Sequence, residues 1–204
     1  VKCIPAARIV SRLALGIALV CFVVILNGIT WYRYSYKIEQ ETVCIKTLPD
    51  SFNGFRIVQL TDLHLGSYGK HYPGITKLVD EVNRLNPDLI VFTGDMVNSF
   101  ASEMDPWIET LKKLKAKYGK YATTGNHDYG TYVKWPTKTD QENNLKQFFK
   151  NMKQADFVML NNTNVPLVIA NDTLYLAGVE NWGLPPFPSF GKLAQALEGT
   201  DGHP

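Results

Sequence analysis

The sequence predicts an α/β domain built on a largely parallel sheet, preceded by one transmembrane helix. Three observations carry this. Short β-branched runs alternate with segments of helical periodicity, a pattern that implies crossover connections and a parallel sheet. Leu13 to Tyr32 is a run of 20 residues without a charge, long enough to cross a bilayer core as a helix. The chain has 204 residues, 45% of them hydrophobic, which supports one domain with a real core plus an accessory segment.

The N-terminal segment, residues 1–46, holds the span, placed at about residues 13–32. Arg8 and Arg12 precede it, and Trp31, Tyr32, Tyr34 and Tyr36 follow as an aromatic belt at a headgroup boundary would. A cleaved signal peptide is the competing reading, but the apolar run is long and no small-x-small cleavage site follows. A buried core helix would show a polar stripe, and this stretch has none. Lys2, Arg8 and Arg12 outnumber Arg33 and Lys37 by one charge, which points the N-terminus weakly to the cytoplasm and the domain weakly to the extracytoplasmic side.

The remaining residues, 47–204, read as one domain. Residues 47–54 (TLPDSFNG) are a turn-rich linker. Strands are expected at Phe55–Leu60, Leu89–Phe92, Tyr121–Thr124, Phe157–Leu160, Val165–Ile169 and Leu174–Val179. The last two should pair antiparallel around Ala170-Asn171-Asp172. Ile75, Leu78, Val79, Val82 and Leu85 mark a helix that Asn86-Pro87 stops. Asp105-Pro106 should start another, with Trp107, Leu111, Leu114 and Tyr118 on one face. Leu145, Phe148, Phe149 and Met152 mark a third, and Phe190–Leu197 a short fourth.

Composition excludes several functions. With 21 basic and 19 acidic residues and no basic run, nucleic acid is not an expected partner. Cys3, Cys21 and Cys44 all lie in the first 44 residues, which excludes a disulfide framework, a cysteine zinc cluster and a cysteine nucleophile in the domain.

Chemistry concentrates at the ends of the first three strands, where ligands bind in such sheets. The first ends in Thr61-Asp62-Leu63-His64. Residues i and i+2 of an extended segment share a side, so Asp62 and His64 can offer one carboxylate oxygen and one imidazole nitrogen to one cation. The second ends in Thr93-Gly94-Asp95, and the third in Thr124-Gly125-Asn126-His127-Asp128. Each cluster alone is an ordinary turn. Together they are not, because the offsets Asp62–Asp95 and Asp95–Asn126 are 33 and 31 residues, about one βαβ unit each, and should bring all three to one edge.

Asp62-Leu63-His64, Gly94-Asp95-Met96-Val97-Asn98 and Gly125-Asn126-His127-Asp128 resemble the first three motifs of the calcineurin-like metallophosphoesterases, D-x-H, G-D-x-x-[DN] and G-N-H-[DE]. The strings IVQLTDLHLG, PDLIVFTGD and ATTGNHD resemble the membrane-anchored bacterial branch of that family. The resemblance covers roughly residues 55–182 and implies an αββα two-sheet sandwich, here incomplete. It implies a hydrolase of phosphate mono- or diesters that uses two divalent metal ions, of which Mn, Fe or Zn suit a mixed carboxylate, imidazole and amide shell. Asp62 and His64 would bind the first ion, Asp95 would bridge both, and Asn126 would bind the second. The catalytic set would be His127, protonating the leaving oxygen, with Asn98 orienting its imidazole and Asp128 beside it.

The family pattern continues with a later His and a Gly-His-x-His pair. This chain has only His64, His71, His127 and His203. His71 reads as a solvated loop residue. Gly202-His203 begins like the later pair, but the sequence ends at Pro204. The expectation is a chain truncated at its C-terminus and inactive by itself as residues 1–204. Two alternatives stay open: an inactive membrane-tethered binding or scaffold protein with a phosphoesterase-like core, and a one-metal hydrolase using Asp62, His64 and Asp95. A lipid-linked phosphate is the suggested substrate, because the site lies about one linker from the bilayer.

Overall fold

The computed structural model describes residues 6–30, 35–70, 72–185, 187 and 189–200. Lys2, Cys3, Trp31, Tyr32, Arg33, Tyr34, His71 and His203, which entered the expectations above, lie outside them. The chain forms two compact units, Val1–Val43 and Cys44–Pro204.

The first unit is helix α1, Ala6–Thr30. Its stretch Arg8–Thr30 has a mean hydropathy of 2.7 and its apolar side chains are exposed. The helix is long and apolar enough to cross a membrane. Even its terminal hydroxyl is satisfied internally, with Thr30 Oγ1 donating to Leu26 O at 2.7 Å.

The second unit is built on four parallel strands in the order β1 (Ile57–Leu60), β2 (Leu89–Phe92), β3 (Lys120–Ala122) and β4 (Val158–Met159). The crossovers are α2 (Gly74–Arg84), the short α3 (Ile108–Lys112) and α4 (Lys138–Gln154). A hairpin of β5 (Thr163–Ile169) and β6 (Asp172–Gly178) follows, then α5 (Leu193–Ala196). Alternation sorts the core. Leu89, Val91 and Tyr121 face the hairpin and pack with Leu167, Ile169, Leu174 and Leu176. Ile90, Phe92 and Ala122 point the other way, into the helix layer with Val79, Leu111, Phe148 and Met152. The result is a helix layer on a parallel sheet on a second sheet.

The helix layer has an unusual fastening. Lys120 sits inside β3, is buried, and faces the helices. Its ammonium donates to the carbonyls of Ala155 (2.8 Å), Leu111 (3.3 Å) and Lys112 (3.3 Å). These are terminal carbonyls of α3 and α4, which have no partner inside their own helices. Burial lowers the Lys120 pKa.

The helix expected to carry Tyr118 is shorter than its periodicity suggests. It ends at Lys112, and Tyr118 instead packs on Phe55, ring centres 5.5 Å apart and tilted by 39°, on the other side of the sheet. Asp105 does not cap it. The N-cap is Trp107, and Asp105 Oδ1 accepts from Asn151 Nδ2 of α4 at 3.3 Å.

Candidate metal centre

Two strand-end loops stay zipped together past the end of the ladder. Thr93 N donates to Leu60 O, Asp62 N to Gly94 O, His64 N to Asp95 O and Leu65 N to Met96 O, all at 2.9–3.0 Å. The backbone between them is not extended. Asp62, His64 and Asp95 have φ of 54°, 45° and 60°, the left-handed region that costs a side-chain-bearing residue about 1–2 kcal/mol. Asp62 and His64 therefore converge through two left-handed turns, not through the i, i+2 geometry of a strand. Strain of this kind clusters where a side chain must be aimed.

The third loop joins by close backbone approach. Gly94, at φ 107°, lies so near Gly125 that a Cβ on it would be 2.6 Å from Gly125 Cα. A Cβ on Gly125 would be 2.3 Å from Asp95 Oδ1. Both positions require glycine because the loops after β2 and β3 touch there. The Asp95 carboxylate is thereby brought within reach of the third loop, and His127 N donates to its Oδ1 at 2.9 Å.

Asp128 holds the two loops in place. It is fully buried, and its carboxylate accepts from Asp95 N (3.0 Å), Gly125 N (2.9 Å), Met96 N (2.9 Å) and Val97 N (3.2 Å). Burial pushes its carboxyl up to about 7, while the N–H donors from Gly125, Val97 and Asp95 pull the other way. The side chain faces loop backbone and not the open site.

The groups at the open mouth are Asp62, His64, Asp95 and His127. His64 Nε2 is 3.7 Å from Asp62 Oδ1 and 3.9 Å from Asp95 Oδ2. Both separations exceed a hydrogen bond and suit atoms flanking a cation bound at about 2.0–2.2 Å. One ligand atom each from His64, Asp95 and His127 lies within 4.8 Å of the others. The two imidazole rings meet edge to face at 4.7 Å. Carboxylate and imidazole donors without thiolate suit a divalent metal ion. Asn126, at the same loop, donates from Nδ2 to the Tyr132 hydroxyl at 2.6 Å.

His127 is oriented by a backbone group. Its Nδ1 lies 2.8 Å from the carbonyl oxygen of Asn98. The Asn98 side chain goes elsewhere, donating from Nδ2 to Ser67 Oγ at 3.1 Å. Asn98 N in turn donates to Glu103 Oε2 at 2.6 Å, and Glu103 fills the space left by Gly66. Asn98 thus sets the imidazole by the position of its backbone, with Ser67 and Glu103 fixing that position.

Sequence reasoning missed Tyr132, Ser67, Glu103 and Glu180. Glu180 follows β6 and accepts from Tyr129 Oη at 2.8 Å and from Asn162 Nδ2, and Tyr129 meets Thr124 Oγ1 at 2.7 Å. Burial, with Glu180 beside it, raises the Tyr129 pKa. The place of Glu180 just past a strand was the one signal available. The others reach the site through space.

Residues 55–187 match the family described as calcineurin-like phosphoesterase. Among curated relatives, the chain is 40% identical over 96 residues to a transmembrane protein with metallophosphoesterase domain from Danio rerio, covering 47% of this chain and 22% of that one. It is 36% identical over 109 residues to the uncharacterized metallophosphoesterase YkuE of Bacillus subtilis, covering 52% of this chain and 38% of the relative. It is 40% identical over 90 residues to UDP-2,3-diacylglucosamine pyrophosphatase LpxG of Chlamydia muridarum, covering 42% and 27% respectively. The chain thus spans between 22% and 38% of the length of these relatives.

Proposed function

Because this chain belongs to the calcineurin-like phosphoesterase family, we propose that the protein hydrolyses a phosphate mono- or diester with two divalent cations held at the ends of β1, β2 and β3. The observation that carries this is the convergence of Asp62, His64, Asp95 and His127 from three strand ends onto one mouth. Asp62 and His64 would hold the first cation, Asp95 would serve both, and Asn126 would hold the second through its carbonyl oxygen. Bound there, the cations would supply a water-derived nucleophile and neutralise charge on the phosphate.

The remaining steps belong to the chain. A carbonyl only accepts, so the bond to Asn98 O keeps a hydrogen on Nδ1 of His127 and leaves Nε2 to pass a proton to the leaving oxygen. Asp128 touches no substrate in this scheme. It is a positioning residue, binding the N–H groups that shape the loops of Asp95 and Gly125.

Residues 47–204 hold these groups and residues 1–46 tether them to a bilayer, with the domain on the extracytoplasmic side. A lipid-linked substrate suits that tether, and the Chlamydia muridarum relative is named for a diacylglucosamine compound. Protease protection in sealed vesicles tests the side.

One observation favours a second arrangement: His127 lies close enough to His64 and Asp95 to be a third ligand of a single cation. Full-length protein freed of metal and reconstituted with Mn²⁺ separates the readings. Two ions per chain and Mn²⁺-dependent hydrolysis of a nitrophenyl phosphate ester are expected. One ion per chain supports the second arrangement, and no uptake with no hydrolysis sinks both.

A further inference from the structure

The Asn126 side chain has two ends of similar shape and opposite use. Its carbonyl oxygen can bind a cation, and its amide nitrogen repels one. In the structure Nδ2 donates to the Tyr132 hydroxyl at 2.6 Å, which leaves the carbonyl oxygen as the end available to a cation.

We infer that Tyr132 is a positioning residue of the metal centre, engaging the Asn126 amide nitrogen so that the carbonyl oxygen is left for the second cation. This rests on the two-cation reading above. The hydroxyl is not there to satisfy a buried group, because Tyr132 is 47% exposed. Nor is the residue loosely placed. Its ring lies 4.4 Å from that of His127, tilted by 30°, so the imidazole is flanked by Tyr132 and His64. One side chain thus touches both the proposed proton donor and the proposed second ligand. Fixing the amide before the ion arrives removes the cost of turning and ordering it, as outer partners of metal ligands do.

The test is Mn²⁺ titration of the full-length protein in detergent, with free Mn²⁺ followed by electron paramagnetic resonance. Tyr132→Phe keeps the ring against His127 and removes only the hydroxyl. It should weaken one of two Mn²⁺ ions by about three- to tenfold, the worth of one hydrogen bond, and leave the other unchanged. The melting temperature of the metal-free protein should stay at the wild-type value. Tyr132→Ala should weaken the same ion at least as much and also lower kcat on esters with poor leaving groups, because His127 loses its neighbour. Wild-type Mn²⁺ constants in either variant would overturn the inference. So would equal weakening of both ions with a lower metal-free melting temperature, which marks a merely structural role. Wild-type protein that takes up no Mn²⁺ would instead overturn the two-cation reading, and this inference with it.

Discussion

Nδ1 of His127 lies 2.8 Å from the carbonyl oxygen of Asn98, a residue 29 positions earlier on the loop after β2. The contact fixes the Nδ1 edge of the imidazole through a backbone group. A side chain at position 98 is needed only to hold that backbone, through Ser67. Asn98→Ala should therefore keep metal content and lower kcat less than His127→Ala does, by about the worth of one lost hydrogen bond, up to tenfold. A loss as large as that of His127→Ala would show that the amide itself meets the substrate.

Gly125→Ala should damage the centre without removing any ligand. The new Cβ would stand 2.3 Å from Asp95 Oδ1 and 2.6 Å from Asp95 N, so either the carboxylate or the loop must move. Overpacking of this kind costs about 1–3 kcal/mol. Thermal unfolding and Mn²⁺ binding should both weaken. A variant with wild-type metal affinity would mean that the two loops have slack that their contact does not suggest.

Asp128→Asn separates a carboxylate clamp from a neutral one. Four N–H groups point at the two oxygens, two at each. An amide replaces one oxygen by a donor facing donors, and should cost about 2–5 kcal/mol through lost charged hydrogen bonds and unpaired N–H groups. The Asp128 carboxyl is pushed up to about 7 against an ordinary 3.8, so its ionisation is disfavoured by folding. The sign follows: its contribution to stability is fullest below the ordinary value and is lost as pH rises through about 7. Wild-type unfolding should therefore show a loss over that interval that is absent in Asp128→Asn. Unchanged stability of the variant would indicate a carboxyl held protonated.

Lys120→Met keeps the aliphatic stem and removes the ammonium that joins α3 to α4. Leaving the buried carbonyl of Ala155 and the part-buried carbonyl of Lys112 without this donor should cost about 1–3 kcal/mol in thermal unfolding. Burial lowers the Lys120 pKa, so folding disfavours its charge, and the wild type should gain on the variant as pH rises towards the ordinary lysine value of 10.5. A more stable Lys120→Met would show that desolvating the ammonium costs more than its three bonds return.

The parallel order β1-β2-β3-β4 was legible because a continuous apolar run such as LIVF at 89–92 leaves few alternatives, and the spacing of Asp62, Asp95 and Asn126 announced the shared edge. What hid was set by long-range contacts. Helix α3 ends early because Tyr118 finds Phe55 on the far side of the sheet. Lys120 looks like a solvent residue in sequence, and only the two helix ends above it make it an interior one. Asp128 stands in the motif beside His127, yet successive residues of a tight turn point different ways, and its carboxylate goes inward. Tyr132 is an unremarked loop tyrosine until folding sets it on Asn126.

The most direct measurement pairs metal analysis with rates on two esters, one with a nitrophenyl leaving group and one with a poor alkyl leaving group, for full-length His127→Ala and Asp95→Ala. His127→Ala should retain both metal ions and lose about 10²–10⁴-fold in kcat on the alkyl ester, with a much smaller loss on the nitrophenyl ester, whose leaving oxygen needs no proton. Asp95→Ala should lose metal and both activities, because it removes the bridge. Loss of metal from His127→Ala, or full metal content in Asp95→Ala, would contradict the roles assigned to these two residues.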